Sequence, residues 1–296
     1  MKMLRLALVL MCTTTVCYAQ DDLLNQLSQA DSAQKIPVDA TFKSTRVVNG
    51  HSVETMKKKH MDFRISHRFG RLNSGAYNFF GLDQATMRMG FEYGLTDDFM
   101  IGVGRSTSQK VYDFLGKYKV LKQSTGARSV PLSVTLFGSM AIATVNKELE
   151  FQDKLTYTAQ VLIARKFGER LSLQLSPTFL HRNHPDVLGD EKVLLAVGIG
   201  GRFKLSKRVS LNGEYFYTAR EKNTVTAPYY DSMSFGVDIE TGGHVFQLHF
   251  TNSLGMIEKQ FIGETAGTWG KGDIHYGFNL SRTFSFDKKN KRQPAN

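Results

Sequence analysis

The stretch from Lys192 to Arg220 places the strongest constraint on the fold. It contains two runs in which apolar and polar or small side chains alternate, joined by Ser206–Arg208. Because successive side chains of a β-strand point to opposite faces, each run predicts a strand with one apolar face. Strands of soluble proteins average about five or six residues, whereas a strand that crosses a bilayer needs about 9–11. The length of both runs therefore favours a transmembrane hairpin whose apolar face contacts lipid. The apolar face of the first run contains Val193, Leu195, Val197, Ile199, Gly201, Phe203 and Leu205.

The N-terminus predicts export. Lys2 and Arg5 precede the short apolar run Leu6–Met11, and small residues lead to a cleavage position after Ala19. This order is typical of a secretory signal peptide, which we assign to residues 1–19. Both cysteines of the sequence lie within it, so the mature chain is expected to have no disulfide, thiolate metal site or cysteine nucleophile.

Charge and hydropathy exclude two other classes of protein. The formal charge of +11 falls to +9 without Lys2 and Arg5, and the tail after Phe286 carries +3 of the remainder. The remaining charge is spread along the chain, which is not the basic patch of a nucleic-acid-binding protein. No later apolar run approaches the roughly 18 residues of a membrane helix. The chain therefore predicts one all-β domain, a closed antiparallel transmembrane β-barrel.

Alternating segments recur along the chain from Met61 to Phe286. Their number is twelve, the even number required of a closed bacterial barrel whose two ends lie in the periplasm. We therefore assign residues 61–286 to the barrel and 287–296 to a basic C-terminal tail. The predicted strands are Met61–Phe69, Ala85–Tyr93, Phe99–Ser106, Lys110–Leu121, Val130–Ala141, Lys154–Lys166, Arg170–Arg182, the Lys192–Arg220 pair, Tyr230–Thr241, Gly243–Thr251 and Asp273–Phe286.

The connections between these strands alternate in length. One set is mostly tight turns, such as Thr96–Asp98 and Thr241–Gly243, and the other is long, such as Gly70–Gln84 and Asn252–Gly272, except near Gln109. Short periplasmic turns and long external loops are typical of outer-membrane barrels. The sequence thus predicts export to the outer membrane, with outer-membrane lipid as a partner. The aromatic end Phe284–Phe286 favours the barrel-assembly machinery as another partner.

The segment 20–60 precedes the barrel. Asp21–Lys35 predicts a short periplasmic helix or a disordered leader, and Thr41–Met56 predicts a strand pair around Asn49-Gly50, a dipeptide that favours hairpins. The side chains of Thr41–Met56 are too polar to face lipid. Two interpretations stay open: a periplasmic extension, or a plug folded into the lumen.

Charged side chains on the polar parity form the candidate functional set. Cations dominate the first two strands, whereas acids dominate the ninth and tenth, on nearly opposite walls of a twelve-strand ring. Opposed walls would create a transverse field that filters solutes. Local pairing across neighbouring strands would neutralise both walls, and we favour it. The predicted lumen-facing charges are Arg64, Arg68, Arg88, Glu92, Arg202, Lys204, Glu214, Asp238 and Glu240.

The sequence supplies no cofactor, metal or catalytic motif. Its eight histidines are scattered, and no HExxH is present. The glycines near Gly198–Gly201 lie within a predicted strand with no following helix, so they are strand bends and not a phosphate loop. We expect no metal, no cofactor and no enzyme activity, although a hydrolase assembled across strands stays open as an alternative.

Several local motifs resemble one family. They resemble an outer-membrane β-barrel family of exported bacterial proteins that is labelled as a domain of unknown function. The resemblance is specific over Thr41–Arg105 and implies the fold and the membrane, but no catalytic residues. The motifs are Phe42–Arg46, Asn49–Glu54, Phe63–Asn73, Asn78–Asp83 and Gly90–Asp98.

We predict a narrow pore or small-solute channel. Eight strands leave an interior filled by side chains, whereas sixteen to eighteen leave an aqueous channel, so twelve predict a narrow lumen. The alternatives are a structural or docking barrel, which binds a periplasmic or surface protein, and a barrel-embedded hydrolase. No nucleic-acid partner is expected.

Overall fold

Twelve antiparallel strands hydrogen-bond in a closed ring in the computed structural model, which describes residues 34–187, 190–220 and 229–287. Each strand pairs with its neighbour in the chain, and the last pairs with the first of the ring. The strands are β1 Lys35–Pro37, β2 His60–Arg71, β3 Ala85–Gly94, β4 Phe99–Ser106, β5 Val111–Leu121, β6 Ser124–Gly126, β7 Ser133–Ala143, β8 Leu155–Phe167, β9 Leu171–Arg182, β10 Val193–Lys204, β11 Val209–Ala219, β12 Ser232–Thr241, β13 His244–Thr251 and β14 His275–Ser285. All except β1 and β6 form the barrel, which confirms the predicted fold and strand number.

The alternation along β10 and β11 produces the two faces of the wall. Val197 pairs with Tyr217, and Gly198 with Phe216, so residues of one parity share a face. Leu195 is 58% exposed and its neighbour Leu194 is fully buried. Since the strands form a ring, the exposed apolar parity faces outward, toward lipid, and the other parity faces the lumen.

Two ends of the barrel differ in their connections. At the entry end, where β2 begins and β14 ends, β12 and β13 are joined by two residues, 242–243. At the loop end, the connection from β13 to β14 spans residues 252–274 and contains the helix α1, Glu258–Gly263. Short 3₁₀ segments occur at Leu72–Ser74, Ala76–Gly81, Ser108–Lys110 and Trp269–Lys271, and the second and third of these contain residues with positive φ. None of the helices among the described residues is long and apolar enough to cross a membrane.

Arg282 lies on the outward face of β14, as its parity predicts. Its guanidinium carbon stands 4.9 Å from the centre of the Phe284 ring, a cation–π contact that accommodates a charge near the rim. The irregularity in β14 is elsewhere, where its register against β2 shifts between His275 and Gly277. Arg282 itself pairs in regular register with Phe63, so its charge is accommodated by the side chain reaching toward the rim and not by a bulge at that position.

A second compact unit contains β1 and β6. Lys35 pairs with Gly126 and Pro37 with Ser124 in a short antiparallel sheet. This sheet explains why β7 begins at Ser133 and not at the predicted Val130, because part of that connection pairs with β1. The predicted signal peptide, most of the Asp21–Lys35 leader and all of the C-terminal tail except Asp287 lie outside the described residues.

Candidate functional site

The lumen is occupied by the segment Thr41–Met56, which we call the lumen hairpin. Its two arms are bonded through Ser52 N–H and the Thr45 carbonyl oxygen, at 2.9 Å. The turn lies at Asn49-Gly50, as predicted, but neither residue has a positive φ. Glycine is required at position 50 for another reason: a Cβ there would lie 2.7 Å from the Phe216 ring. Of the two interpretations left open by the sequence, the structure supports the plug.

The turn of the hairpin is bound from two sides of the wall. The buried Glu214 carboxylate, on β11, accepts hydrogen bonds from three consecutive N–H groups: Val48 at 3.1 Å, Asn49 at 2.7 Å and Gly50 at 3.0 Å. From β2, the Arg68 guanidinium donates to the Asn49 side-chain oxygen. Three donors converging on one carboxylate are charge-assisted bonds, roughly twice as strong as neutral ones. This grip fixes the turn at the middle of the lumen.

A lysine binds the other main-chain groups of the hairpin. The Lys117 ammonium, fully buried on β5, donates to the carbonyl oxygens of Thr45 at 2.7 Å, Ser52 at 2.9 Å and Glu54 at 3.2 Å. These bonds matter because the hairpin has only one isolated bridge, Arg46 to His51, in place of a ladder. Four neutral wall side chains also bond main-chain atoms of the hairpin: Thr135, Gln174, Gln247 and Asn279.

The hairpin also contributes to a small apolar core. Phe42, Val47 and Val53 are buried against inward-facing side chains of the wall. The wall members of this cluster are Met100, Leu115, Phe137, Leu162 and Ala164. The hairpin therefore supplies packing that the wall does not complete by itself.

Four of the nine predicted lumen charges form ion pairs on the wall. The lumen charges Arg64, Arg68, Arg88, Glu92, Arg202, Glu214 and Asp238 are buried, and Lys204 and Glu240 are half-buried near the entry end. Three ion pairs on the wall are Arg64–Asp62 at 3.2 Å, Arg88–Asp113 and Arg202–Glu240 at 2.9 Å. Local pairing thus neutralises part of the charge on both walls.

The charges outside these pairs contact the hairpin or a neighbouring side chain. Glu92 accepts a hydrogen bond from the Thr45 hydroxyl at 2.5 Å, and Asp238 accepts one from the Gln247 amide at 2.5 Å. Lys204 lines a cavity of about 90 Å³ at the entry end. The predicted lumen charges thus bind the lumen hairpin more than they line an open channel.

The helix α1 fills the loop end of the lumen. Phe261 and Ile262 are fully buried and pack against Leu180, Leu194 and Phe216. The rings of Phe216 and Phe261 meet edge to face with centroids 5.0 Å apart. This packing accounts for Leu194, the one large apolar residue on the polar face of β10, and it assigns Phe261 to loop packing.

Polar contacts attach α1 to two other loops. The Lys259 ammonium lies 3.1 Å from an Asp186 carboxylate oxygen and 3.1 Å from the Gln109 side-chain oxygen, and it also pairs with Glu264. Burial raises the pKa of the Glu264 carboxyl, although the neighbouring ammonium lowers it. Gln109 adopts a positive φ of 52°, which is uncommon for such a residue. None of these four residues belonged to the predicted set.

The lumen hairpin and α1 meet inside the barrel. His51 Nε2 lies 3.7 Å from a Glu258 carboxylate oxygen, and both side chains are buried. Among the described residues, neither imidazole nitrogen of His51 has a hydrogen-bond partner. One insertion enters from each end, and together they close the lumen.

Two cavities at the loop end lie above this closure. Their volumes are about 210 and 250 Å³, and both are lined by Arg71, Leu254 and His275. Arg71 pairs with Asp273 at 3.1 Å, and His275 Nδ1 lies 2.9 Å from the Phe69 carbonyl oxygen. These cavities form a polar vestibule. Within residues 34–187, 190–220 and 229–287, no group of three or more His, Cys, Asp or Glu side chains is arranged to hold a metal ion.

Comparison with known proteins identifies a family. The model of the membrane-bound β-barrel domain DUF5777 matches residues 42–284. A search of curated proteins found no match. The structure is similar to the NanC porin (7% identity, TM-score 0.48, covering 77% of this chain and 100% of the porin) and to the KdgM porin (9%, 0.48, 76% and 99%). An outer-membrane channel from Pseudomonas putida F1 is similar at 12% identity and TM-score 0.46, covering 78% of this chain and 98% of the channel. The family match confirms the resemblance seen in the sequence.

Proposed function

The chain belongs to the DUF5777 family of membrane-bound β-barrel domains, and we propose that it is a gated outer-membrane pore for small hydrophilic solutes. One observation carries this proposal. The lumen is filled by two insertions that take no part in the strand ladder, and polar wall side chains bond the main chain of the lumen hairpin. Such a filling can leave without breaking a strand pair.

The wall that the hairpin covers is suited to water and solutes. Side chains that now bond the hairpin, such as Glu214, Lys117 and Gln174, would face an aqueous lumen once it left. Twelve strands enclose enough space for a two-armed hairpin, whereas an eight-strand barrel is filled by its own side chains. The inner wall of this barrel is therefore polar, as in a channel, but its lumen is occupied.

The ends of the hairpin supply the points at which it could move. Ala40 and Lys59, which flank it, have positive φ values of 54° and 58°. Residues other than glycine rarely adopt this left-handed conformation, and those that do often occur at switch regions. A change of φ and ψ at two such positions can swing a segment, and at Lys59 it would break the hydrogen bonds that join its N–H to the Gly94 carbonyl and its carbonyl to the Phe286 N–H.

Conductance across a planar bilayer tests the proposal with four chains. They are the wild type, a deletion of Thr41–Met56, a replacement of Gly255–Ala266 by a Gly-Ser linker, and the double variant. We expect a wild type that is mostly closed and steady conductance steps from the double variant, because both closures are gone. Heat-modifiable migration on a gel establishes that each barrel is folded. A folded double variant that stays silent would contradict the pore.

A reversible cross-link provides a matched control. Asn49 Nδ2 lies 3.0 Å from Ser234 Oγ, and the described residues contain no cysteine. In the Gly255–Ala266 replacement, the pair Asn49→Cys and Ser234→Cys should stay closed when oxidised and conduct after reduction. Equal conductance before and after reduction would show that the hairpin does not gate.

A structural or docking barrel is the second candidate, and the full occupation of the lumen favours it. It predicts a wild type that never opens, whereas a gated pore opens transiently with both insertions present. No arrangement of described residues supports the hydrolase, and we do not propose it.

A further inference from the structure

The loop between β2 and β3 holds two phenylalanines in an uncommon backbone conformation. Phe79 has φ 46° and ψ 47°, and Phe80 has φ 53° and ψ 35°. This is the left-handed region, in which bulky L-residues are genuine outliers. Two consecutive aromatic residues there indicate a constraint beyond ordinary loop closure.

The rings of this loop are exposed despite their apolar character. Tyr77 is 95% exposed, Phe79 is 60% exposed and Phe80 is 53% exposed. A loop that needed these side chains for its own packing would bury them. We call the three side chains the aromatic tip.

The loop has a second face, which is polar. Ser74, Gln84 and Thr86 line the vestibule cavity of about 250 Å³. The aromatic tip lines neither of the two vestibule cavities. The loop therefore presents polar groups to the vestibule and aromatic groups away from it.

The aromatic tip continues the lipid-facing wall. A Cβ on Gly81 would lie 2.6 Å from the Gly70 carbonyl carbon, so Gly81, which follows Phe80, packs directly against the end of β2. The preceding residue of that strand, Phe69, lies on the outward parity and stacks on Tyr276 with centroids 4.6 Å apart. The loop that carries the aromatic tip is thus anchored at the end of β2 that also bears this outward aromatic pair.

We propose that Tyr77, Phe79 and Phe80 insert into the outer leaflet of the membrane, at the boundary between lipid head groups and acyl chains. Aromatic rings favour this boundary because one part of it is apolar and the other is wet. The partner is therefore lipid, and the loop that covers part of the vestibule is held at the membrane surface. The proposal is independent of whether the barrel conducts.

Tryptophan fluorescence in vesicles tests the insertion. The chain has one tryptophan, Trp269, so Trp269→Phe provides the background. In it, Phe79→Trp and Phe80→Trp are reconstituted into dioleoylphosphatidylcholine vesicles with and without brominated acyl chains. We expect quenching by bromine of twofold or more and an emission shift to shorter wavelength. Leu254→Trp, which faces the vestibule, is the control and should respond to aqueous acrylamide only.

A second label guards against misfolding of the tryptophan variants. A nitroxide on Phe79→Cys should be more accessible to oxygen than to an aqueous nickel complex. Full accessibility of position 79 to acrylamide and to nickel would overturn the proposal, because the tip would then face water. Protection from both phases together with a cross-linked dimer would also overturn it, since the occupant would be a second copy of the chain.

Discussion

The substitution Glu214→Gln tests how firmly the wall holds the lumen hairpin. The carboxylate accepts three main-chain N–H groups, those of Val48, Asn49 and Gly50. One carboxylate oxygen accepts from Val48 and Gly50 and the other from Asn49, so a glutamine oxygen can keep two of these bonds while its NH₂ group faces the Asn49 donor. The one buried donor left unsatisfied costs about 1–3 kcal/mol, and the two remaining bonds lose their charge assistance at about 0.5–1 kcal/mol each, so the seated hairpin should lose about 2–5 kcal/mol. At about 1.4 kcal/mol per tenfold change, its opening should increase about 30-fold or more.

Hydrogen exchange of hairpin amides, followed by mass spectrometry, measures this opening directly. The matched control is Asp238→Asn on the neighbouring strand β12, which removes the same charge from the lumen. Its oxygen can still accept the bond from Gln247, and no hydrogen bond or ion pair joins Asp238 to the hairpin among the described residues. The control should change protection of the hairpin by no more than a few-fold. If protection in Glu214→Gln equals that in Asp238→Asn, the carboxylate grip does not hold the hairpin.

Three further outcomes follow from the wall and the loops. Val197→Arg, on the lipid-facing parity of β10, should destabilise the barrel by about 2–4 kcal/mol in urea unfolding from vesicles. Val145→Arg, in an exposed loop, should stay within about 0.5 kcal/mol, and equal losses would contradict the assigned faces. His51→Gln and Glu258→Gln should be non-additive by about 0.5 kcal/mol or more in a double-mutant cycle, whereas additivity would show that the two insertions are uncoupled. The hydrogen bond from Asn73, together with that from the Thr268 N–H, lowers the pKa of Asp273. The ionised Asp273 therefore stabilises the 252–274 loop fully above pH 3.8, and this stabilisation is lost as the pH falls through the lowered pKa. Proteolysis of the loop should accelerate over that pH range in the wild type but not in Asp273→Asn.

The strand number and faces of the barrel could be predicted because they depend on local alternation. The side chains of β10 reach lipid or lumen according to parity alone, so the sequence determines them residue by residue. The position of the lumen hairpin could not be predicted in this way. Glu214 lies 165 positions from Asn49 along the chain, and nothing local to either residue indicates that they meet.

The residues that hold the insertions were missed for two different reasons. Lys117 and Asp113 lie on the inward parity of β5, but Val111 and Leu115 share that face, so its polarity is weak. Lys259 lies on a helix of six residues inside a long loop, which has too few residues to produce a periodic pattern. Strand parity could have identified Lys117 and Asp113, whereas no sequence signal could have identified the site around Lys259.

The opposite charges of the two walls bind opposite main-chain groups of the lumen hairpin, a role that the transverse-field hypothesis did not include. Lys117, near the cationic strands, donates to carbonyl oxygens of the hairpin, whereas Glu214, among the acidic strands, accepts from its N–H groups. Two side-chain pairs follow the same rule, Lys43 with Glu240 at 2.8 Å and Glu54 with Lys119 at 3.8 Å, whereas Arg46 lies 3.8 Å from Glu92 on the cationic side. Each wall thus binds the groups of opposite polarity that one orientation of the hairpin presents. A hairpin inserted the other way round would place carbonyl oxygens against Glu214 and N–H groups against Lys117. The charge asymmetry therefore specifies how the hairpin is seated, and local ion pairs neutralise much of the rest of the lumen.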